Sequence, residues 1–394
     1  MTQTYLAQPD LGFIAQLRGL GGDTLKKCYQ CASCSVACPI APENSPFPRK
    51  EMIAASWGLK DRLIKSADIW LCHNCGDCTD LCPRGAAPGD VLAAVRSAAI
   101  TEYAQPRALA KAVNDPKKLP WLLGIPAIWI AILAYITMAH EDVMTKLFNV
   151  FGIAWSHAHE GAEHVIAQAD FFSTWFVDLT FVPLATAVVI IFALSLKRFL
   201  TDIHENAVME KKTDKKNLDY KALLQSLVQV IPRILKHEKF NECETNKERS
   251  TPHMMVLFSF IGLAIVTSIF FIVLYVFQTP GPYSQLNPVK WLANIAGVAL
   301  VIGAGLMIKS RLDNKEQVTT YKDWYILGIV FSVGITGMLT EMARLAHLEW
   351  TSYGFYYLHL IAIFNLFAFL PYSKMAHLVY RTTAMTYAEY ANRK

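Results

Sequence analysis

The sequence predicts an all-α protein in two parts: a small helical domain over residues 1–115 and a bundle of six transmembrane helices over 116–394. Three observations carry this. Eight of the nine cysteines fall in two short runs near the N-terminus. Six long apolar stretches follow, in a chain that is 53% hydrophobic. The basic residues of the loops between those stretches lie almost wholly on alternate connections.

The first part is charged, punctuated by proline and short in its apolar runs. Apolar residues recur at helical spacing near Arg49–Ile64 and Asp90–Tyr103, with Pro48 and Pro88 just before them. No alternating strand pattern occurs. Met1–Leu20 has no long apolar core, so this end is expected in the cytoplasm rather than exported. In that reducing compartment clustered cysteines ligate metal rather than pair with each other. The formal charge of +5 is mild and gives no ground for a nucleic-acid partner.

The apolar stretches run over about 119–139, 171–196, 254–277, 288–308, 324–345 and 353–374, near the ~20 residues that cross a hydrocarbon core. Lys290, Glu341 and Arg344 sit near the ends of the fourth and fifth. With the N-terminal domain inside, the inner loops 197–252, 309–322 and the tail from 374 hold twelve, four and four Lys/Arg, and the outer connections hold only Lys146. Both termini are therefore expected on the cytoplasmic face of a multi-pass membrane protein. Trp175, Trp291 and Trp350 fall near outer ends and Trp324 near an inner end, as an interfacial belt requires. The charged stretch 197–252, with a helix near Tyr220–Leu235, is either a solvated linker or a surface for a partner or anionic lipid.

The runs CYQCASCSVACP (28–39) and CHNCGDCTDLCP (72–83) both read Cys-x2-Cys-x2-Cys-x3-Cys-Pro. That spacing wraps three thiolates around one cubane and sends the fourth to another. Cys28, Cys31 and Cys34 would then share a [4Fe–4S] cluster with Cys82, and Cys72, Cys75 and Cys78 would share a second with Cys38. The domain is thus a two-cluster, ferredoxin-like unit. Four-cysteine zinc sites, the alternative, space two pairs with a longer gap. His73 neighbours Cys72, and Cys243 has no cysteine nearby in sequence and reads as a free thiol.

A histidine inside a span is costly enough to be a functional candidate. His359 and His377 are eighteen residues apart. On one continuous helix they share a face, about 27 Å apart along the axis. This is how a helix offers one axial ligand to each of two stacked haems; polar packing is the plainer reading. His253 opens the third span at the depth of His377, which makes His253/His377 the expected axial pair of a haem b. For His359 the candidates are His347 and His164. His140, His157 and His159, with Glu160 and Glu163, form either a metal-binding or a solvated outer loop. Asp178, Glu341 and Arg344 would hold a quinone head group, carry protons, or pair with each other.

The cysteine domain resembles the C subunit of heterodisulfide reductases, and the spans resemble their cytochrome b subunit and the gamma subunit of respiratory nitrate reductase. A fusion in this order is similar to the C subunits of quinone-interacting membrane-bound oxidoreductases (Qmo), with KRFLTDI (197–203), NPVKWLANI (287–295) and LPYSKMAH (370–377) as local signatures. The resemblance implies a six-helix cytochrome b bundle with one or two haems b and menaquinone as substrate. It also implies two cytoplasmic flavin- and cluster-bearing partners, the A- and B-like subunits of Qmo, and indirect service to adenylylsulfate reductase in dissimilatory sulfur metabolism. Heterodisulfide- or sulfite-linked complexes and a membrane-tethered iron–sulfur sensor are the alternatives. The sequence departs from the nitrate reductase pattern at Leu263, where a histidine ten residues after His253 would stand, and no Cys-Cys motif for disulfide reduction occurs.

Overall fold

The computed structural model describes residues 8–139, 146, 166–238, 242–243, 247–279, 281–313 and 318–393, and every regular element among them is helical. In the N-terminal part, α1 (Leu11–Leu17) begins at Asp10, whose carboxylate accepts from the Phe13 amide at 2.9 Å. Short helices α2 (Ser33–Val36), α3 (Arg49–Ser56), α4 (Lys60–Ile64), α5 (Asp68–Leu71) and α6 (Asp77–Asp80) follow. The helical spacing over 49–64 is broken at Gly58, which adopts φ +65°. A Cβ there would meet the Asp10 carbonyl oxygen at 2.6 Å, so only glycine lets the two segments touch. The pillar is α7 (Pro88–Tyr103), with proline at its first position, and α1 and α3 to α6 all pack on it. Helix α8 (Arg107–Val113) leads into the apolar part.

That part comprises α9 (Leu119–Ala139), α10 (Gln168–Phe171), α11 (Thr174–Met209), α12 (Tyr220–Leu235), α13 (Ser250–Tyr275), α14 (Pro288–Asp313), α15 (Tyr321–Leu345), α16 (Glu349–Ala368) and α17 (His377–Tyr390). Five helices, α9, α11, α13, α14 and α15, are long and apolar enough to cross a membrane. They turn large apolar side chains such as Ile132, Val189, Ile265 and Ile295 outward, as a lipid-facing surface requires. Helix α16, the sixth expected span, falls outside this set among the described residues. Tyrosines, His359 and Asn365 dilute its hydropathy, and it packs on α9, α11 and α15. Its polar neighbourhood is paired internally: Tyr325 donates to Asn365 Oδ1 at 3.0 Å and Tyr357 to the Ala127 carbonyl at 2.9 Å.

The expectation of one helix carrying both His359 and His377 is corrected by the fold. Helix α16 stops at Ala368, two 3₁₀ turns cover Leu370–Tyr372 and Lys374–Ala376, and α17 starts afresh at His377. Pro371 has no N–H to continue the ladder and restricts the residue before it. Ser373 is extended (ψ 175°) and its hydroxyl accepts from the Met375 amide, which starts the next turn. The two histidines therefore do not share a helix face.

Helix α17 joins the two parts. Trp70 of α5 is fully buried, stacked on Tyr380 of α17 at 5.1 Å and edge-on to Phe199 of α11 at 5.9 Å. Phe199, Leu200 and Ile203 of α11 and Tyr380, Ala384 and Tyr387 of α17 belong to the same core as Met52, Val91 and Val95. Charges reinforce this seam: Asp68, fully buried, pairs with Lys212 at 2.9 Å and with Arg393.

Candidate cofactor sites: two cysteine quartets and a histidine-lined cavity

The two cysteine runs fold against each other. Cys38 lines one small cavity together with Cys72, Cys75 and Cys78, and Cys34 lies in the electrostatic reach of Cys28, Cys31 and Cys82. Left-handed backbone at Ala32 (φ 71°) and Gly76 (φ 111°) starts the single-turn helices that carry the third cysteine of each run. The Asn74 amide donates to Cys72 Sγ and the Ala86 amide to Cys82 Sγ, both at 3.3 Å. Burial above all, and then neighbouring thiolates, push Cys34 up to about 11, and burial pushes Cys38 up to about 12. Such thiols ionise only against a compensating cationic centre, which is what an iron–sulfur cluster supplies. Among the described residues no three sulfurs of either quartet lie within 4.8 Å of one another, whereas a single zinc would hold them about 4 Å apart. The donor sets therefore fit cubanes. Cys31 is exposed and Cys72, Cys75 and Cys78 are buried, so the first quartet is at the surface and the second within.

The second quartet backs onto a cavity of about 1030 Å³, at the upper end of small-molecule sites. Cys72, His73 and Cys75 form one part of its wall, and His237, His253 and His377 another. The His253 and His377 rings lie 6.3 Å apart between centroids. Two imidazoles sharing one metal through bonds of about 2.0–2.1 Å stand about 6 Å apart in the same measure. His377 Nδ1 is 2.6 Å from the Lys374 carbonyl oxygen and donates to it. His253 Nδ1 is 3.0 Å from His237 Nε2. With His253 donating there, both rings keep Nε2 for a metal, the arrangement that outer partners impose on ligand histidines. Burial first, and then His253, holds His377 far below its usual range at about 3, so the ring stays neutral. Arg249, Lys309, Arg311, Lys322 and Lys374 also line the cavity. Lys322 Nζ is buried with no hydrogen-bond partner among the described residues, an orphaned cation that suits a carboxylate such as a haem propionate. The residues present fit a haem here.

At His359 they do not complete a site. Nδ1 is 3.1 Å from Thr336 Oγ1, and Thr336 spends its own proton on the Ser332 carbonyl. The ring lies against Gly337, where a Cβ would meet His359 Cε1 at 2.9 Å. No other histidine ring touches it among the described residues, and His347 is exposed at the end of α15. His140, His157, His159, Glu160, Glu163 and His164 lie outside the described residues. Glu341 pairs with Arg344 at 2.7 Å and with Lys290 at 2.9 Å, and Asp178 takes no part in these pairs.

Two residues of these sites carry no signal in the sequence. His237, at the end of the soluble helix α12, is invisible to hydropathy because a histidine there costs nothing. Cys243, which has no cysteine nearby in sequence, is buried with its sulfur beside that of Cys75. Only tertiary folding of the stretch between α12 and α13 brings it there.

Residues 24–86 match the family described as a 4Fe-4S dicluster domain. The chain is 36% identical over 89 residues to a protein of Archaeoglobus profundus named as similar to the C subunit of heterodisulfide reductase, covering 22% of this chain and 47% of that protein. It is 34% identical over 91 residues to the C subunit of the H(2):CoB-CoM heterodisulfide,ferredoxin reductase of Methanothermobacter marburgensis, covering 23% and 49%. With the C2 subunit of the H(2)/formate:CoB-CoM heterodisulfide,ferredoxin reductase of Methanococcus maripaludis it shares 30% over 131 residues, 33% of this chain and 62% of that one. The chain thus spans about half the length of the first two of these curated relatives. No solved structure matches it. The N-terminal region is an iron–sulfur dicluster domain homologous to the C subunits of heterodisulfide reductases, here fused to a membrane helical part.

Proposed function

We propose that the chain is the membrane electron-transfer subunit of a quinone-linked oxidoreductase. It connects the menaquinone pool, through a haem b held by His253 and His377 and two [4Fe–4S] clusters, to cytoplasmic flavin- and cluster-bearing partners. In the Qmo complexes it resembles, that route serves adenylylsulfate reductase. One observation carries the reading: a single cavity has His253 and His377 in its wall and Cys72 and Cys75 in the same wall. A helix bundle that only tethered an iron–sulfur sensor would need no pair of histidines beside the cluster cysteines. When bound, haem and clusters accept and release single electrons.

The chain's own residues set the order of the path. Arg381, one turn after His377, donates to the Cys72 carbonyl at 3.3 Å and fixes the second cysteine loop against the histidine helix. The exposed Cys31 puts the first quartet at the far end, where Tyr29, Val36 and Leu81 form an apolar rim suited to a docking protein. Lys374 and Arg311 pair with Asp323 in the cavity wall, which leaves Lys322 as a cation that would meet a carboxylate of the bound group.

A reduced-minus-oxidised spectrum of the purified protein tests this. A b-type band is expected, reducible by menaquinol and lost in His377→Ala while the cluster signals persist. A protein with both clusters and no b-type band would refute the reading.

A further inference from the structure

Cys243 lies on the segment that joins His237 to His253, and it is 1% exposed. Its Sγ, the Cys75 Sγ and an Asp77 carboxylate oxygen all lie within 4.8 Å of one another. The two sulfurs are hydrogen-bonded. Cys243 lies against the Cys75 sulfur and does not line the small cavity that Cys38, Cys72, Cys75 and Cys78 share. Four cysteines already complete that cubane's ligand set. A cluster-bound Cys75 carries no proton and can only accept; the proton in that contact must come from the Cys243 thiol.

We propose that Cys243 is a positioning residue of the second cluster, donating its S–H to the Cys75 sulfur and raising that cluster's reduction potential. The reason is electrostatic. Reduction adds a negative charge to the cluster, and a donor aimed at a ligand sulfur stabilises the more negative state. Burial at 1% exposure removes competing water and enlarges the effect. Asp77 beside it acts in the opposite sense, so the thiol also offsets a nearby carboxylate. Because Cys243 arrives on the segment that ends at His253, the stretch that presents a haem ligand also sets the potential of the cluster next to it.

This rests on the two-cluster reading, and the experiment separates the two. Full-length wild type, Cys243→Ala and Cys243→Ser are purified in detergent, assayed for iron and sulfide, and titrated redox-potentiometrically by electron paramagnetic resonance. Cys82→Ser identifies the signal of the other cluster. Fewer than two cubanes in the wild type would defeat the cluster reading itself. With two cubanes present in all three proteins, the Ala variant should show a roughly tenfold lower reduced-to-oxidised ratio at fixed potential, about 59 mV for one electron. Only the Cys75-ligated cluster should move, and Ser, which keeps a donor, should restore most of the difference. Two unmoved midpoints would overturn the proposal. So would loss of a cluster in both variants, which would make Cys243 a ligand.

Discussion

Replacing Glu51 with glutamine should make the protein more stable above neutral pH. Glu51 sits on α3, is 5% exposed, and its Oε2 has no hydrogen-bond partner among the described residues. Burial first, and then the Asp68 carboxylate, pushes its carboxyl from 4.5 up to about 7. The unfolded chain releases this proton near the ordinary value, while the folded chain keeps it until about 7. The associated stability is complete in acid and is lost as pH rises through the folded value. At about 1.4 kcal/mol per pH unit, the difference is about 3 kcal/mol. Asp68 works in the other direction. Burial alone would raise it, but Lys212 and Arg393 hold it below its usual range, so its contribution is lost only on acidification and is constant between pH 5 and 8. Thermal loss of cluster absorbance, followed from pH 5 to 8, measures the balance. The wild type should lose stability toward pH 8, and Glu51→Gln should flatten the curve and be the more stable protein there. Parallel curves for the two proteins would refute the argument.

Four further outcomes are expected. Trp70→Ala should cost about 3–5 kcal/mol, because it empties the stacked site on Tyr380 at the seam between the two parts; denaturant titration of cluster absorbance reads this. Cys82→Ser should damage the cluster held by Cys28, Cys31 and Cys34 and spare the other, as paramagnetic resonance of the two clusters would show. Gly337→Ala should destabilise by about 1–3 kcal/mol, since the new methyl meets His359, whereas His359→Ala should leave the haem band of the His253/His377 site unchanged in the optical spectrum.

The parts legible in the sequence are those with local periodicity or fixed spacing. The cysteine runs announce their chemistry because ligand geometry requires three thiols within a few residues, and α9, α11, α13, α14 and α15 announce themselves by apolar length. Depth alone pairs His253 with His377 in the sequence, and the structure brings their rings within 6.3 Å. Eighteen-residue spacing misleads for His359 and His377 because Pro371, a helix breaker, stands between them. His237 and Cys243 are beyond any local rule. Each acquires its neighbours only when the charged stretch after α11 folds back over the cysteine domain, a contact of high sequence separation. Glu341 illustrates a third case: its pairing with Arg344 is among the alternatives the sequence offers, whereas its neutralisation by Lys290 from another helix is visible only in three dimensions.

The interruption before α17 has a mechanical consequence. Had the last helix run on unbroken, the position of His377 would follow every tilt of the bundle. As it stands, His377 and Arg381 ride one short rod of 14 residues, about 21 Å long, which packs on Trp70, on α11 and α12 and, through Arg393 just past its end, on Asp68. That rod is a ruler. It holds the His377 imidazole and the Arg381 contact to the Cys72 loop one helical turn apart, so their separation is set by the backbone of one short helix and not by the length of a span.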